Sequence, residues 1–287
     1  MSTHLLPTPL LAHYSAGMPQ LCSSGLSENW LLKECGHRHW LAIAHSQGQV
    51  RPEFRDALGH KVYAAFSLVR IAHAQLERIE EHDVFSISTQ CLPVGRTQHY
   101  SQHVLVSRGQ RMALVEMLSV FVRRTQAGSN RSIARAVMAT LQAACPSSQA
   151  ALAEAAEAFV QHGRARRAAS SRQTSDADLH TSAYTPCPYN DFNGANLLYF
   201  SSFQSMVDRA EGAYLQSPRP ALLRERELVF YGNLDIGDSV RTQLRRDAGP
   251  AGQLAHHSLL HRGSDGICIA EVFTRKQSAH QALALAA

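Results

Sequence analysis

Between Pro188 and Phe200 the chain reads Pro-Tyr-Asn-Asp-Phe-Asn-Gly-Ala-Asn-Leu-Leu-Tyr-Phe, which sets Asn190, Asp191, Asn193, Asn196 and one glycine, Gly194, directly ahead of an apolar helical pattern. Short polar side chains in that place cap helices by accepting hydrogen bonds from the free N–H groups of the first turn. One cap uses one or two acceptors, and four are on offer. A helix N-terminus also presents donors and positive potential to a carbonyl or carboxylate, so Asp191, Asn193, Gly194 and Asn196 form a candidate polarising site. Plain capping is the competing role for any one of them.

A related arrangement stands near the start of the chain, where Cys22-Ser-Ser-Gly25-Leu-Ser27-Glu28-Asn29-Trp30 again places a cap-like serine before a helical pattern. Ser27 reads as a cap and substrate contact rather than a nucleophile, because the second glycine of a G-x-S-x-G elbow is missing. Cys22 and Cys35 show no sign of a lowered thiol pKa beyond a helix terminus. The close pairs His37/His39, His99/His103 and His256/His257 lack carboxylates at ligand spacing or an H-E-x-x-H helix, so no metal is expected. His39, in Gly36-His-Arg-His39-Trp40, is a candidate for acid/base work or substrate contact, with surface exposure as the alternative. His261-Arg-Gly-Ser-Asp265 fits an H-x-x-x-D pattern but falls on an expected hairpin turn. Tyr63, in Lys61-Val-Tyr63-Ala-Ala-Phe66, lies on an expected strand. Its hydroxyl stays protonated at neutral pH and can donate to a carbonyl oxygen, unless the ring is simply core.

These residues sit in two stretches that resemble each other. His82-Asp83-Val84 matches Gly237-Asp238-Ser239 at an offset of 155, and Arg108-Gly109 matches Arg262-Gly263 at 154. Gly25-Leu-Ser27 matches Gly194-Ala-Asn196 at 169, so the first copy carries about fourteen more residues between helix and strands. Each copy reads as a lead-in strand, a long helix and four strands joined by short turns. In the second copy Leu197, Leu198, Phe200, Phe203, Met206, Val207 and Ala210 recur at helical spacing, a stripe broad enough to lie inside a curved sheet. A helix wrapped by an antiparallel meander is the hotdog arrangement. Two copies predict an α+β double hotdog with one continuous sheet, which also pairs the exposed sheet edges without needing a second chain. The expected boundaries are a first hotdog over 1–127, a helical and Arg/Ser/Ala-rich linker over 128–186, and a second hotdog over 187–287.

Composition is compatible with this. The 287 residues are 45% hydrophobic and 18% charged, which excludes a disordered chain. The net charge of +5 is partly concentrated in Gly163 to Arg172, leaving no nucleic-acid stripe. Six scattered cysteines suggest neither disulfides nor a zinc site, and no apolar run reaches a membrane span or forms a secretory signal. A cytoplasmic monomer or homodimer, binding neither nucleic acid nor membrane, is expected.

Asp191-Phe-Asn-Gly-Ala-Asn-Leu-Leu-Tyr-Phe, together with Gly25-Leu-Ser-Glu-Asn-Trp-Leu-Leu-Lys-Glu-Cys-Gly-His-Arg-His-Trp40, resembles the leinamycin-type bifunctional acyltransferase/decarboxylase family of double hotdogs. The likeness spans residues 18–125 and 186–275. It implies an enzyme of polyketide or related secondary metabolism that decarboxylates a (methyl)malonyl thioester, supplied as acyl-CoA, and passes the acyl group to an acyl carrier protein. Asn193, Asn196 and the helix N-terminus would then hold the thioester oxygen, with Tyr63 donating a proton or hydrogen bond, and no cofactor beyond the thioester itself. The alternatives are a hotdog thioesterase, with Asp191 activating water, a dehydratase, and a non-catalytic acyl or carrier-protein binding module.

Overall fold

The computed structural model describes residues 9–95, 97–136, 149–170, 178–218, 220–247 and 253–277. Strand β1 (Leu10–Ser15) leads through a small hairpin, β2 (Leu21–Cys22) and β3 (Gly25–Leu26), into helix α1 (Glu28–Ser46). Four strands follow: β4 (Tyr63–Ala72), β5 (Val84–Val94), β6 (Gln98–Ser107) and β7 (Gln110–Arg124). A short strand β8 (Ile133–Arg135) pairs back on β7, and helix α2 (Ala150–Ser170) comes next. The second copy contains β9 (Asp178–Tyr184), α3 (Phe200–Leu215), β10 (Leu222–Phe230), β11 (Val240–Arg246), β12 (Gln253–Arg262) and β13 (Cys268–Gln277).

The strand order is β1-β5-β6-β7-β4-β10-β13-β12-β11-β9, with β8 attached to β7. The order mirrors itself about the antiparallel β4–β10 pair, so each copy supplies one half of a single sheet. This is the double hotdog that the repeat predicts. Strand β9 falls inside the 128–186 stretch, yet it completes the second copy's sheet by pairing with β11.

Alternation explains the strands. In β5, Phe85, Ile87 and Thr89 point inward while Ser86 and Ser88 are half-exposed. Helices α1 and α3 lie against the inner face and share one core with it, in which Leu31, Leu32, Phe203 and Val207 meet Val69, Met117, Leu228 and Val272. Helix α2 covers the opposite face, packing Leu152, Ala156 and Phe159 on Leu68, Tyr100 and Val229. Both faces of β4 are therefore covered at Leu68 and Val69. The two Arg-Gly turns differ in why they need glycine: Gly109 adopts a left-handed backbone (φ +70°), whereas Gly263 is pressed against Ser239, which leaves no room for a Cβ. Among the described residues no helix is long and apolar enough to cross a membrane.

Candidate active site at the seam of the two copies

Pairing between β4 and β10 ends at Leu68–Val229. Past that pair, Tyr63 to Ser67 on one side and Phe230 to Asn233 on the other line a cleft of about 740 Å³. The start of α3 and the Asn193-Gly194-Ala195 turn border it, and Gly36, His37 and Trp40 of α1 face them. Its deep part is aromatic: the Phe66 and Phe200 rings lie 4.5 Å apart and Phe203 meets Phe230 edge-on at 5.2 Å. Gly36 is required there, because a Cβ on it would stand 2.8 Å from the Phe200 ring. Among the described lining residues there is no aspartate or glutamate, while Lys61, Arg131, Arg135, Arg167 and Arg262 all contribute.

The polar loop ahead of α3 does not cap the helix. Asn193 Oδ1 accepts from the Ala195 and Leu197 N–H groups, closing a turn within the loop. Asp191 Oδ2 accepts from the Tyr184 hydroxyl at 2.9 Å and the Cys187 N–H at 2.8 Å, and its backbone carbonyl receives the Tyr199 N–H and the Ser202 hydroxyl. Asn196 is exposed in a left-handed conformation (φ +56°), and its carbonyl accepts from Asn130 Nδ2. The first residue of the helix is preceded by Tyr199, which provides no side-chain cap, and the Phe200 and Ser201 N–H groups have no acceptor among the described residues. Phe200 lines the cleft and Ser201 is buried behind it, so the positive end of a helix dipole, with one unmatched donor on a lining residue, borders the cleft.

Residues far away in sequence hold this loop in place. Arg124 donates to the Ala195 carbonyl and to Asn130 Oδ1, and Asn130 Nδ2 donates to the Asn196 and Leu234 carbonyls. Asn233 pairs with both the N–H and the carbonyl of Leu198.

Of the residues singled out in the sequence, Tyr63, Asn193 and Gly194 line the cleft; Asp191 and Asn196 belong to the adjoining loop and are not part of its lining. The Tyr63 ring lies beneath Lys61 Nζ at 5.4 Å. His39 is fully buried elsewhere, hydrogen-bonded to Ser101 Oγ at 2.6 Å and Ser119 Oγ at 2.7 Å. Desolvation, with smaller effects from His103 and His99, holds its pKa well below the usual imidazole range, so it stays neutral. The imidazole that lines the cleft is that of His37, two residues earlier on the helix. Ser27 caps α1, accepting from the Trp30 N–H, and lines a different pocket. Cys35 is buried, and desolvation raises its thiol pKa. His261 precedes a turn closed by Arg262 and Asp265.

That other pocket, of about 420 Å³, lies at the start of α1 and is the counterpart of the cleft across the seam. Here the space beside the helix start is filled with charge. Arg226, fully buried, meets Glu28 at 2.8 Å and Asp208 at 2.7 Å, and Lys276 Nζ reaches Asp208 at 2.9 Å and Glu211 at 2.7 Å. Desolvation, reinforced by Asp208, pushes Glu28 up to about 7 against the lowering effect of Arg226. Asp208 is driven down mainly by Arg226 and Lys276, which outweigh its own desolvation.

No protein-family model matches the sequence, and no curated protein does. Solved structures do match. The chain is similar to the 12:0-ACP thioesterase from Umbellularia californica, with a TM-score of 0.61 at 10% identity over 94% of this chain and 96% of that one. It is similar to a protein assigned as an oleoyl thioesterase from Lactobacillus plantarum, with a TM-score of 0.64 at 12% identity over 94% and 96%. An acyl-ACP thioesterase from Bacteroides thetaiotaomicron gives 0.58 at 10% identity over 94% and 98%. The chain is a double hotdog. At these identities the likeness is one of fold, and it runs to thioesterases rather than singling out the leinamycin-type family. Among the described residues the seam carries a larger aromatic pocket and a smaller one walled in part by the ion-paired Glu28, Asp208, Glu211 and Lys276.

Proposed function

We propose that the protein is an acyl-thioester enzyme and that the thioester carbonyl is held at the start of α3. The observation that carries this reading is the uncapped helix end, with the N–H of the lining residue Phe200 unmatched, bordering an aromatic cleft. Preorganised donors of this kind stabilise charge that develops on a carbonyl oxygen by several kcal/mol. The phenylalanines suit an acyl chain, and the names of the structural neighbours point to the same substrate class.

Hydrolysis is the leading reaction. Water attacks the carbonyl carbon, His37 takes the proton, the oxyanion rests on the helix N–H groups and Tyr63, and the tetrahedral intermediate expels the thiolate, which His37 reprotonates. A second reading, decarboxylation of a malonyl-type thioester with transfer to a carrier protein, draws on the cationic lining of the cleft, in which no described residue is a carboxylate. Cations there would receive the substrate carboxylate, and the same donors would stabilise the enolate left when carbon dioxide departs.

Incubation with medium- and long-chain acyl-CoA, malonyl-CoA and methylmalonyl-CoA, with and without a holo carrier protein, separates the readings by product mass. Free acid is the expected product. Carbon dioxide release with an acylated carrier would select the second reading, and tight binding without turnover of any thioester would overturn both in favour of a binding module.

A further inference from the structure

Four arginines line the cleft, and they fall into two kinds. Arg131 and Arg262 are committed to carboxylates, Arg131 to Asp235 and Asp238 and Arg262 to Asp265. Arg135 and Arg167 have no carboxylate within ion-pair distance among the described residues. Arg135 projects from β8 with no described side-chain partner. Arg167, from the end of α2, reaches the point where β4 and β10 part and donates through Nη2 to the Ser67 and Phe230 carbonyls, which the divided strands leave without ladder partners. Its Nε and Nη1 have no described acceptor, and its guanidinium lies over the Tyr231 ring at 4.9 Å.

Both side chains line the cleft and both are exposed, so they stand at its solvent edge. Desolvation lowers the pKa of Arg167 and the charge of Arg135 adds to it, against the raising effects of Tyr231 and, more weakly, of Glu271. Two like charges at a mouth where no described lining residue is a carboxylate repel each other until an anion is shared between them. A phosphate suits this place, because planar guanidinium groups donate paired hydrogen bonds to its oxygens.

We propose that Arg135 and Arg167 form a phosphate subsite at the mouth of the cleft, which takes the phosphate of a pantetheine arm. The subsite rests on the acyl-thioester reading and extends it: the substrate is recognised at both ends, by its carbonyl at α3 and by its phosphate at the seam. The same phosphate occurs in coenzyme A and on a carrier protein.

Titration of the intact protein with 4′-phosphopantetheine and with pantetheine tests the subsite without any turnover. The phosphorylated arm should bind at least ten-fold more tightly, and Arg135→Gln or Arg167→Gln should shrink that preference below three-fold. Arg135→Gln, which breaks no described bond, keeps the test valid if Arg167→Gln loosens the strands it ties. Coenzyme A, dephospho-coenzyme A and a holo carrier protein, compared in the same titration, tell which source is bound most tightly. Equal affinity for the two arms, or a preference untouched by both variants, would overturn the subsite. Failure of the thioester reading would show separately, as no turnover of any acyl thioester.

Discussion

His39 of α1 and Glu211 of α3 hold equivalent positions in the two copies, and each anchors a buried network with the same pattern of bonds. His39 meets Ser101 and Ser119, and Ser101 meets His103; Glu211 meets His256 and Lys276, and His256 meets Ser258. The strand registers agree, since His99 faces Ser119 where Leu254 faces Lys276. One network is neutral and the other charged. The same divergence extends to the pockets: Gly36 and Phe200 stand where the other copy has Asp208 and Glu28, so the start of α3 faces open space and the start of α1 faces ions.

The ion network should tolerate the loss of its central cation poorly. Arg226→Met leaves the nearly buried Glu28 without its main partner, while the half-exposed Asp208 keeps Lys276, and should destabilise the fold by about 3 kcal/mol. Adding Glu28→Gln and Asp208→Asn removes the stranded charge and should recover much of the loss. Urea denaturation at pH 7.5 measures both effects.

Acid should destabilise the first copy through its buried histidines. Desolvation holds His99 near about 4 and His103 near about 3, both below the unfolded value of 6.5. Between those limits the unfolded chain binds more protons than the folded one, so stability is full above pH 6.5 and falls as the pH drops toward 4. Melting temperature recorded from pH 8 to pH 4 should decline below 6.5, and His99→Gln should flatten the decline.

The Gly36–Phe200 contact should limit what α1 accepts. Gly36→Ala drives a methyl into the ring and should cost about 1–3 kcal/mol of stability and at least ten-fold in turnover. Combining it with Phe200→Leu should restore the stability, which thermal melts will show.

Asn193→Ala removes the acceptor of two loop N–H groups, and Tyr63→Phe removes a hydroxyl from the cleft wall. Each should lower turnover of an acyl-CoA ten-fold or more. Only Asn193→Ala should also lower stability, by about 1–2 kcal/mol.

The fold was legible because duplication writes it twice: Asp83 with Asp238 and Gly109 with Gly263 mark the same turns in both copies. The candidate site was legible only in part. The loop from Asp191 to Asn196 stood out as polar, but whether Asn193 caps a helix or closes its own turn depends on backbone geometry that composition does not carry. His37 and His39 differ by two positions on one helix, and only the packing of α1 decides which faces the cleft. Asn130, Arg124 and Arg226 act across more than sixty residues of chain, and no local pattern announces such partners.

The most direct measurement is a crystal structure with a long-chain 2-oxoalkyl-CoA, a non-hydrolysable analogue in which a methylene separates the sulfur from a retained carbonyl. The carbonyl oxygen should lie within hydrogen-bond distance of the Phe200 N–H, with the chain among Phe66, Phe203 and Phe230. A ligand bound instead beside Ser27 and Asp208, or a carbonyl pointing away from α3, would contradict it.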